Sequence, residues 1–319
     1  MKQLIIIFFT VLSTWAAAPA KDIQYTVEKA PYARFLESGK LTVVASFDGC
    51  KETDKWRDIL DFAKQNNVRF TFFVSGVYFL SDKNRNAYIY PADPSKRGIS
   101  SIGFGGASSD VVKRTQLVLE ALKDGHDVES HLNGHFNAKS WNGTAWREEF
   151  SQFNAITNFL PRPTAHVRFP LLAMNDNVFP VMAEFGIRSI TSVVENDFKD
   201  FSRVTVAFKG RPFTLLEFPI PVEKENASRL LMMDYNFYYY DEKHKVEARK
   251  AGEEMEKLYL EEAERCFREN RPLFLSHHFA GWNHDVYWAA MKKVILTLKK
   301  KYPSQFLTVS ELCDKLTAK

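Results

Sequence analysis

An α/β fold whose strands curl towards a β/α barrel is what this sequence predicts. Apolar strand-like runs alternate with amphipathic helical runs along most of the chain. About seven or eight such strands can be read, most of them separated by a helix. Titratable side chains recur where the strands finish, the face on which β/α barrels gather their chemistry.

Taken in order, Leu41–Phe47 (LTVVASF) reads as a buried strand and Lys55–Gln65 as a helix, followed by a strand over Val68–Val74 (VRFTFFV). A polar, Gly-rich stretch from Ser81 to Ser109 interrupts the rhythm as a long insertion. Asp110 is placed to cap a helix with apolar residues at Val112, Leu117, Leu119 and Leu122, ending at Gly125. His126–His131 and His166–Phe169 are short strands, Val178–Phe185 a helix and Arg188–Val193 a strand. Thr214–Ile220 and Leu230–Asp234 continue the strands, and Lys245–Asn270 forms a long charged helix. Leu273–His277 is strand-like, Val286–Lys301 helical, and Phe306–Val309 leads into a last helix with Ser310 as N-cap. No linker, repeat or low-complexity tract divides the chain, so residues 25–319 read as a single domain.

The 319 residues are 45% hydrophobic and 26% charged, which excludes general disorder and collagen-like structure. With 43 basic against 39 acidic residues the net charge is +4, too mild for a nucleic-acid binder. Residues 1–20 read as a signal peptide: Lys2 is the positive start, Leu4–Leu12 the apolar run, and Ala18-Pro19-Ala20 the small-residue cleavage site. That predicts a secreted or periplasmic protein with no stable membrane insertion after cleavage. Of the three cysteines, Cys50, Cys266 and Cys313, a Cys266–Cys313 bridge is the favoured pairing, with three free thiols the alternative.

The strand ends supply the candidate site. His131 and His135, four residues apart, have the spacing of two metal-binding imidazoles on one turn; the alternative is a pair of surface histidines. Asp48 either caps an FDG turn or offers a carboxylate at the barrel rim. Arg168, in VRFP, is a surface residue or the bidentate partner that keeps Asp48 ionised. Asp197 follows the next strand, and His277, in the apolar run LFLSHHF, is a buried structural histidine or a functional one.

These segments resemble a known family. SFDG at 46–49, TFFVSG at 71–76, GHDVESHLNGH at 125–135, RFP at 168–170, LFLSH at 273–277 and FLTVSEL at 306–312 occur in the order found in polysaccharide deacetylases. These are the family-four carbohydrate esterases, or NodB-homology domain, and the likeness runs from Leu41 to Leu312. The resemblance implies a distorted (β/α)7 barrel with a divalent metal of the Zn2+ type. It also implies a hydrolase that removes acetyl groups from an N-acetylated, less often O-acetylated, glycan polymer. By the same resemblance His131 and His135 bind metal, Asp48 is the catalytic base, Arg168 tethers it, His277 is the general acid and Asp197 tunes that acid. Phe198 stands where the family usually has Trp.

The first motif departs from the family pattern of two adjacent aspartates. Strand register puts Asp48 at the base position and Gly49 at the ligand position, leaving two histidines without an obvious carboxylate. Glu129, two residues before His131 on a strand, shares its face and is the expected third ligand unless it merely faces solvent. Asp48 swinging inward is the other repair, with Asp54 and Cys50 remoter. Backbone N–H groups near Gly49 or Cys50 are the expected oxyanion donors.

Peptidoglycan is the first-choice substrate because the leader directs the chain to a cell envelope. Chitin-type polymers, poly-N-acetylglucosamine and acetylated xylan are the alternatives. Trp141, Trp146, Trp282 and Trp288 are packing residues or sugar platforms, and the insertion and the Tyr-rich stretch 233–241 can shape a groove. A catalytically silent glycan-binding relative is the competing function; a peptidase is disfavoured by the absence of HEXXH.

Overall fold

The computed structural model describes residues 23–195, 199–223 and 230–318. The predicted signal peptide and Asp197 therefore lie outside the described residues.

The elements in chain order are β1 (Tyr25–Pro31), β2 (Leu41–Gly49), α1 (Thr53–Asn66), β3 (Thr71–Val74), α2 (Ser108–Lys123) and β4 (Asp127–Ser130). Then come α3 (Gly143–Ile156), β5 (His166–Val167), α4 (Val178–Phe185), β6 (Ser189–Glu195), β7 (Asp200–Phe208), β8 (Arg211–Glu223) and β9 (Leu230–Leu231). The chain ends with α5 (Asp234–His244), α6 (Ala248–Glu269), β10 (Leu273–His278), α7 (Trp282–Lys301), β11 (Ser304–Phe306) and α8 (Val309–Thr317).

Strands β8-β6-β5-β4-β3-β2-β10 lie side by side and run parallel, the arrangement of a distorted (β/α)7 barrel. Among the described residues β8 and β10 do not pair directly. The seam between them is filled by β9, antiparallel to β8, and by a parallel bridge from Met233 to Ser276 of β10. Across that interior the rings of Phe218 and Phe274 stack with centroids 6.3 Å apart.

Alternation along β2 separates two cores. Leu41, Val43, Ala45 and Phe47 point outward into a layer shared with the helices, against Ile59, Tyr259 and Trp288. Val44 points inward with Phe73, Phe218 and Phe274. The lower end of the barrel is sealed by α8: Val309 N–H donates to Thr71 Oγ1 at 2.9 Å and Ser310 N–H to Asp127 Oδ2 at 2.8 Å. With that end closed, the C-terminal ends of the strands are left to carry a cleft.

Several local expectations are corrected. The cap of α8 is Thr308, in a reciprocal box with Glu311, rather than Ser310. Asp110 sits in the first turn of α2 and accepts the Ala107 N–H, while Val112 and Leu119 are exposed and Leu117 and Val118 are buried. The run 230–234 is strand only at Leu230–Leu231, because Asp234 opens α5. β1 and β7, not expected from the sequence, add an antiparallel flange beside β8, with β7 and β8 joined through Lys209-Gly210 at φ of 50° and 74°. No disulfide forms: Cys50, Cys266 and Cys313 are all free and buried. Cys266 Sγ instead receives Arg271 Nη1 at 2.9 Å.

Candidate active site

A cleft of about 660 Å3 opens where the strands end, lined by Asp48, Gly49, Tyr78, His131, His135, Phe169 and His278 among others. Asp48 is the penultimate residue of β2, on the inward face set by Val44. Arg168, just past β5, reaches it with Nη1 2.9 Å from Oδ1; both side chains are almost wholly buried. Arg168 is itself fixed by Thr191 Oγ1, 2.9 Å from Nε, and by the face of Phe73, 4.7 Å from the guanidinium carbon. A charge pair this buried is held by its neighbours, and removing one partner costs about 3–5 kcal/mol.

His131 follows β4, and its Nδ1 lies 2.7 Å from the Arg168 carbonyl oxygen. As Nδ1 must donate to a carbonyl, the lone pair sits on Nε2, the tautomer a metal ligand requires. His135 stands with its ring centroid 5.3 Å away. Burial lowers the pKa of His131 to about 3 and also lowers that of His135, so both imidazoles are neutral donors. The insertion braces this turn: Ser101 Oγ donates to the His135 carbonyl at 2.5 Å, and Ser101 and Ile102 line the cleft.

The expected third ligand is not there. Glu129 is fully buried, but its carboxylate is taken by Arg162 Nη2 at 2.8 Å, Ala165 N–H at 2.8 Å and His166 N–H at 3.0 Å. Burial, opposed by those donors, raises its pKa to about 7. Sharing a strand face with His131 was not sufficient, since Glu129 sits one layer lower and is claimed by the segment entering β5. Asp54 is fully exposed on a different face, and the Cys50 thiol points to the Phe47 and Phe73 carbonyls. Among the described residues no group of three or more His, Cys, Asp or Glu is arranged around an ion. His131 and His135 offer two neutral imidazole donors that suit a divalent cation, and Gly49, at the ligand position of the family's first motif, supplies none. Gly49 has φ +84°, and a Cβ there would lie 3.7 Å from the Tyr78 ring. Cys50 N–H donates to the Asp48 carbonyl at 3.1 Å, so it is not the free oxyanion donor expected.

The late histidine needs correction by one residue. In β10, His277 pairs with Phe47 and His278 with Asp48 across the parallel ladder. His277 therefore shares the outward face, buried between Tyr259 and Phe47 with Nε2 unpartnered, and burial lowers its pKa to about 4. His278 is the histidine that reaches the cleft. Its Nδ1 lies 2.7 Å from Asp234 Oδ1, and its N–H donates to Asp234 Oδ2 at 2.9 Å. Burial pushes the His278 pKa down, but the Asp234 charge and hydrogen bond outweigh it, so the net shift is upward. Burial likewise works against ionised Asp234, yet the two histidines hold its pKa below the usual carboxylate range.

Asp234 was missed in the sequence because DYNF was read as part of a Tyr-rich groove. Its place at the end of the strand-like run Leu230–Asp234, the same signal that identified Asp48, could have found it.

Residues 36–190 match the polysaccharide deacetylase family model. That span holds Asp48, His131, His135 and Arg168, and stops before Asp234 and His278. No curated protein matches the chain. Among solved structures, a protein from Mycobacterium smegmatis assigned to the polysaccharide deacetylases superposes with TM-score 0.57 at 13% identity, covering 87% of this chain and 90% of that one. The Bc1960 peptidoglycan N-acetylglucosamine deacetylase does so with TM-score 0.51 at 15% identity, covering 87% and 90%. At such identities the likeness is one of fold, and no helix of the described residues is long and apolar enough to cross a membrane. With the matched motifs gathered at one end of this barrel, residues 36–190 carry the pattern of the polysaccharide deacetylase family.

Proposed function

We propose that the cleft hydrolyses N-acetyl groups of a glycan polymer, releasing acetate and a free amine. One observation carries this reading: Asp48 and His278 are direct neighbours on adjacent strands, and their surroundings suit opposite tasks. Arg168 braces Asp48 as the carboxylate that accepts a proton from the attacking water. Asp234 favours the protonated form of His278, ready to give a proton to the departing nitrogen. His131 and His135 would hold a divalent metal of the Zn2+ type. When bound, such an ion polarises the acetyl carbonyl and makes water easier to deprotonate.

The leader-like first twenty residues support delivery to the cell envelope, and so peptidoglycan N-acetylglucosamine as the first substrate to try. Acetate release is measured on peptidoglycan, N-acetylglucosamine oligomers and acetylated xylan, with chelator and with Zn2+ or Co2+ restored. Metal-dependent acetate release on at least one is expected; none from any of them, with metal bound, overturns the reading. Gly49 favours one competitor, a silent relative that grips glycan without cleaving it, because two imidazoles make a thin metal site. Glycan binding without acetate release would select it.

A further inference from the structure

We propose that Trp282 and Tyr235 form a stacking subsite for the sugar ring next to the acetylated one, making the chain selective for an amino-sugar polymer over a single sugar. This rests on the deacetylase reading. Both side chains line the cleft on the lip that carries His278. The Trp282 ring lies 5.2 Å from the imidazole of His278 and 5.2 Å from Tyr235, while Tyr235 is 6.1 Å from the same imidazole.

Exposure separates these rings from packing aromatics. Trp141, Trp146 and Trp288 are buried, whereas Trp282 is partly open and Tyr235 is 45% exposed. An open aromatic face beside charged groups is costly to leave wet, and it matches the flat C–H face of a pyranose. On another stretch of the cleft wall Leu171 adds a second exposed apolar side chain.

The platform is also held rigid before any ligand arrives, which lowers the ordering cost of binding. Tyr238 backs Trp282 in a nearly parallel stack, 5.4 Å between centroids at 6°. Directly after Trp282, Asn283, His284 and Asp285 take φ of 50°, 59° and 65°, a sharp left-handed turn ahead of the regular part of α7. An ion pair from Asp285 to Lys55 of α1 pins that turn. On the other side Tyr235 N–H donates to Asp234 Oδ1 at 2.8 Å, and the same carboxylate holds His278. Platform and proton donor are thus fixed to one another, so a polymer seated on the rings presents its neighbouring sugar to His278.

The test separates binding from cleavage. Glucosamine tetramer, which has no acetyl group to lose, is titrated calorimetrically into the full chain, and kcat/KM for acetate release is compared between N-acetylglucosamine and its tetramer. Tyr235→Ala and Trp282→Ala are each expected to weaken tetramer binding at least tenfold and to shrink the tetramer-to-monomer kcat/KM ratio at least tenfold. Trp282→Phe, which keeps a flat face, should restore most of both. Wild-type binding in folded Tyr235→Ala and Trp282→Ala, or no tetramer binding by the wild-type chain, overturns the subsite. Tetramer binding that depends on both rings, with no acetate released from any glycan, upholds the subsite while removing the deacetylase reading.

Discussion

His278→Gln removes the proposed proton donor while keeping a polar group near Asp234, and His277→Leu removes a buried neighbour that does not line the cleft. A positioned general acid is worth about 10²- to 10⁴-fold in rate. At about 1.36 kcal/mol per decade this is about 3–5.5 kcal/mol of barrier. His278→Gln should therefore lose two to four decades of kcat, with metal content unchanged because His131 and His135 are untouched. His277 presents the opposite case: it is 1% exposed and Nε2 has no hydrogen-bond partner. Burying such an atom costs about 1–3 kcal/mol. Exchanging the ring for an apolar side chain of similar bulk should then move stability by less than about 1.5 kcal/mol and kcat by less than tenfold. Initial rates of acetate release at saturating N-acetylglucosamine tetramer, with thermal melts as a fold control, measure both. The reverse pattern, activity lost with His277→Leu and kept with His278→Gln, would refute the assignment.

Asp234→Asn removes the charge that raises the His278 pKa, so the acid loses its proton at lower pH and the alkaline limb of the kcat profile should move downward; an unmoved limb would separate Asp234 from the acid. Gly49→Asp places a carboxylate beside the two imidazoles and should tighten zinc at least about tenfold in chelator competition. At φ +84° the new side chain should cost about 1 kcal/mol of stability. Glu129→Ala strips the partners from Arg162 and two backbone N–H groups, and should cost about 2–4 kcal/mol in urea unfolding while zinc stoichiometry holds. Loss of zinc with stability intact would instead return Glu129 to the metal.

The barrel was legible because its strands are apolar on both faces and its helices amphipathic, so period alone separates them. β1 and β7 were not: β1, with its run of exposed residues Thr26, Val27, Glu28 and Lys29, pairs with β7, and β7 with β8, a tertiary fact. Asp48, Arg168, His131 and His135 could be read because each falls at a strand end and the cleft is where strand ends meet. His277 and His278 differ by one residue, and only the pairing with Phe47 and Asp48 reveals which faces inward. Glu129 failed for the complementary reason: parity gave the right face, but depth decided which donors claimed it.

β2 enters the sequence near residue 41, yet two of its partners, β10 and β11, come from the last fifty residues of the chain. The edge of this early, buried strand has to wait until nearly everything else has been made. Long-range pairing of this kind is slow, and the waiting edge invites sticking to other chains. A copy cut short before Ser304 should therefore fail by clumping, not by running with reduced vigour.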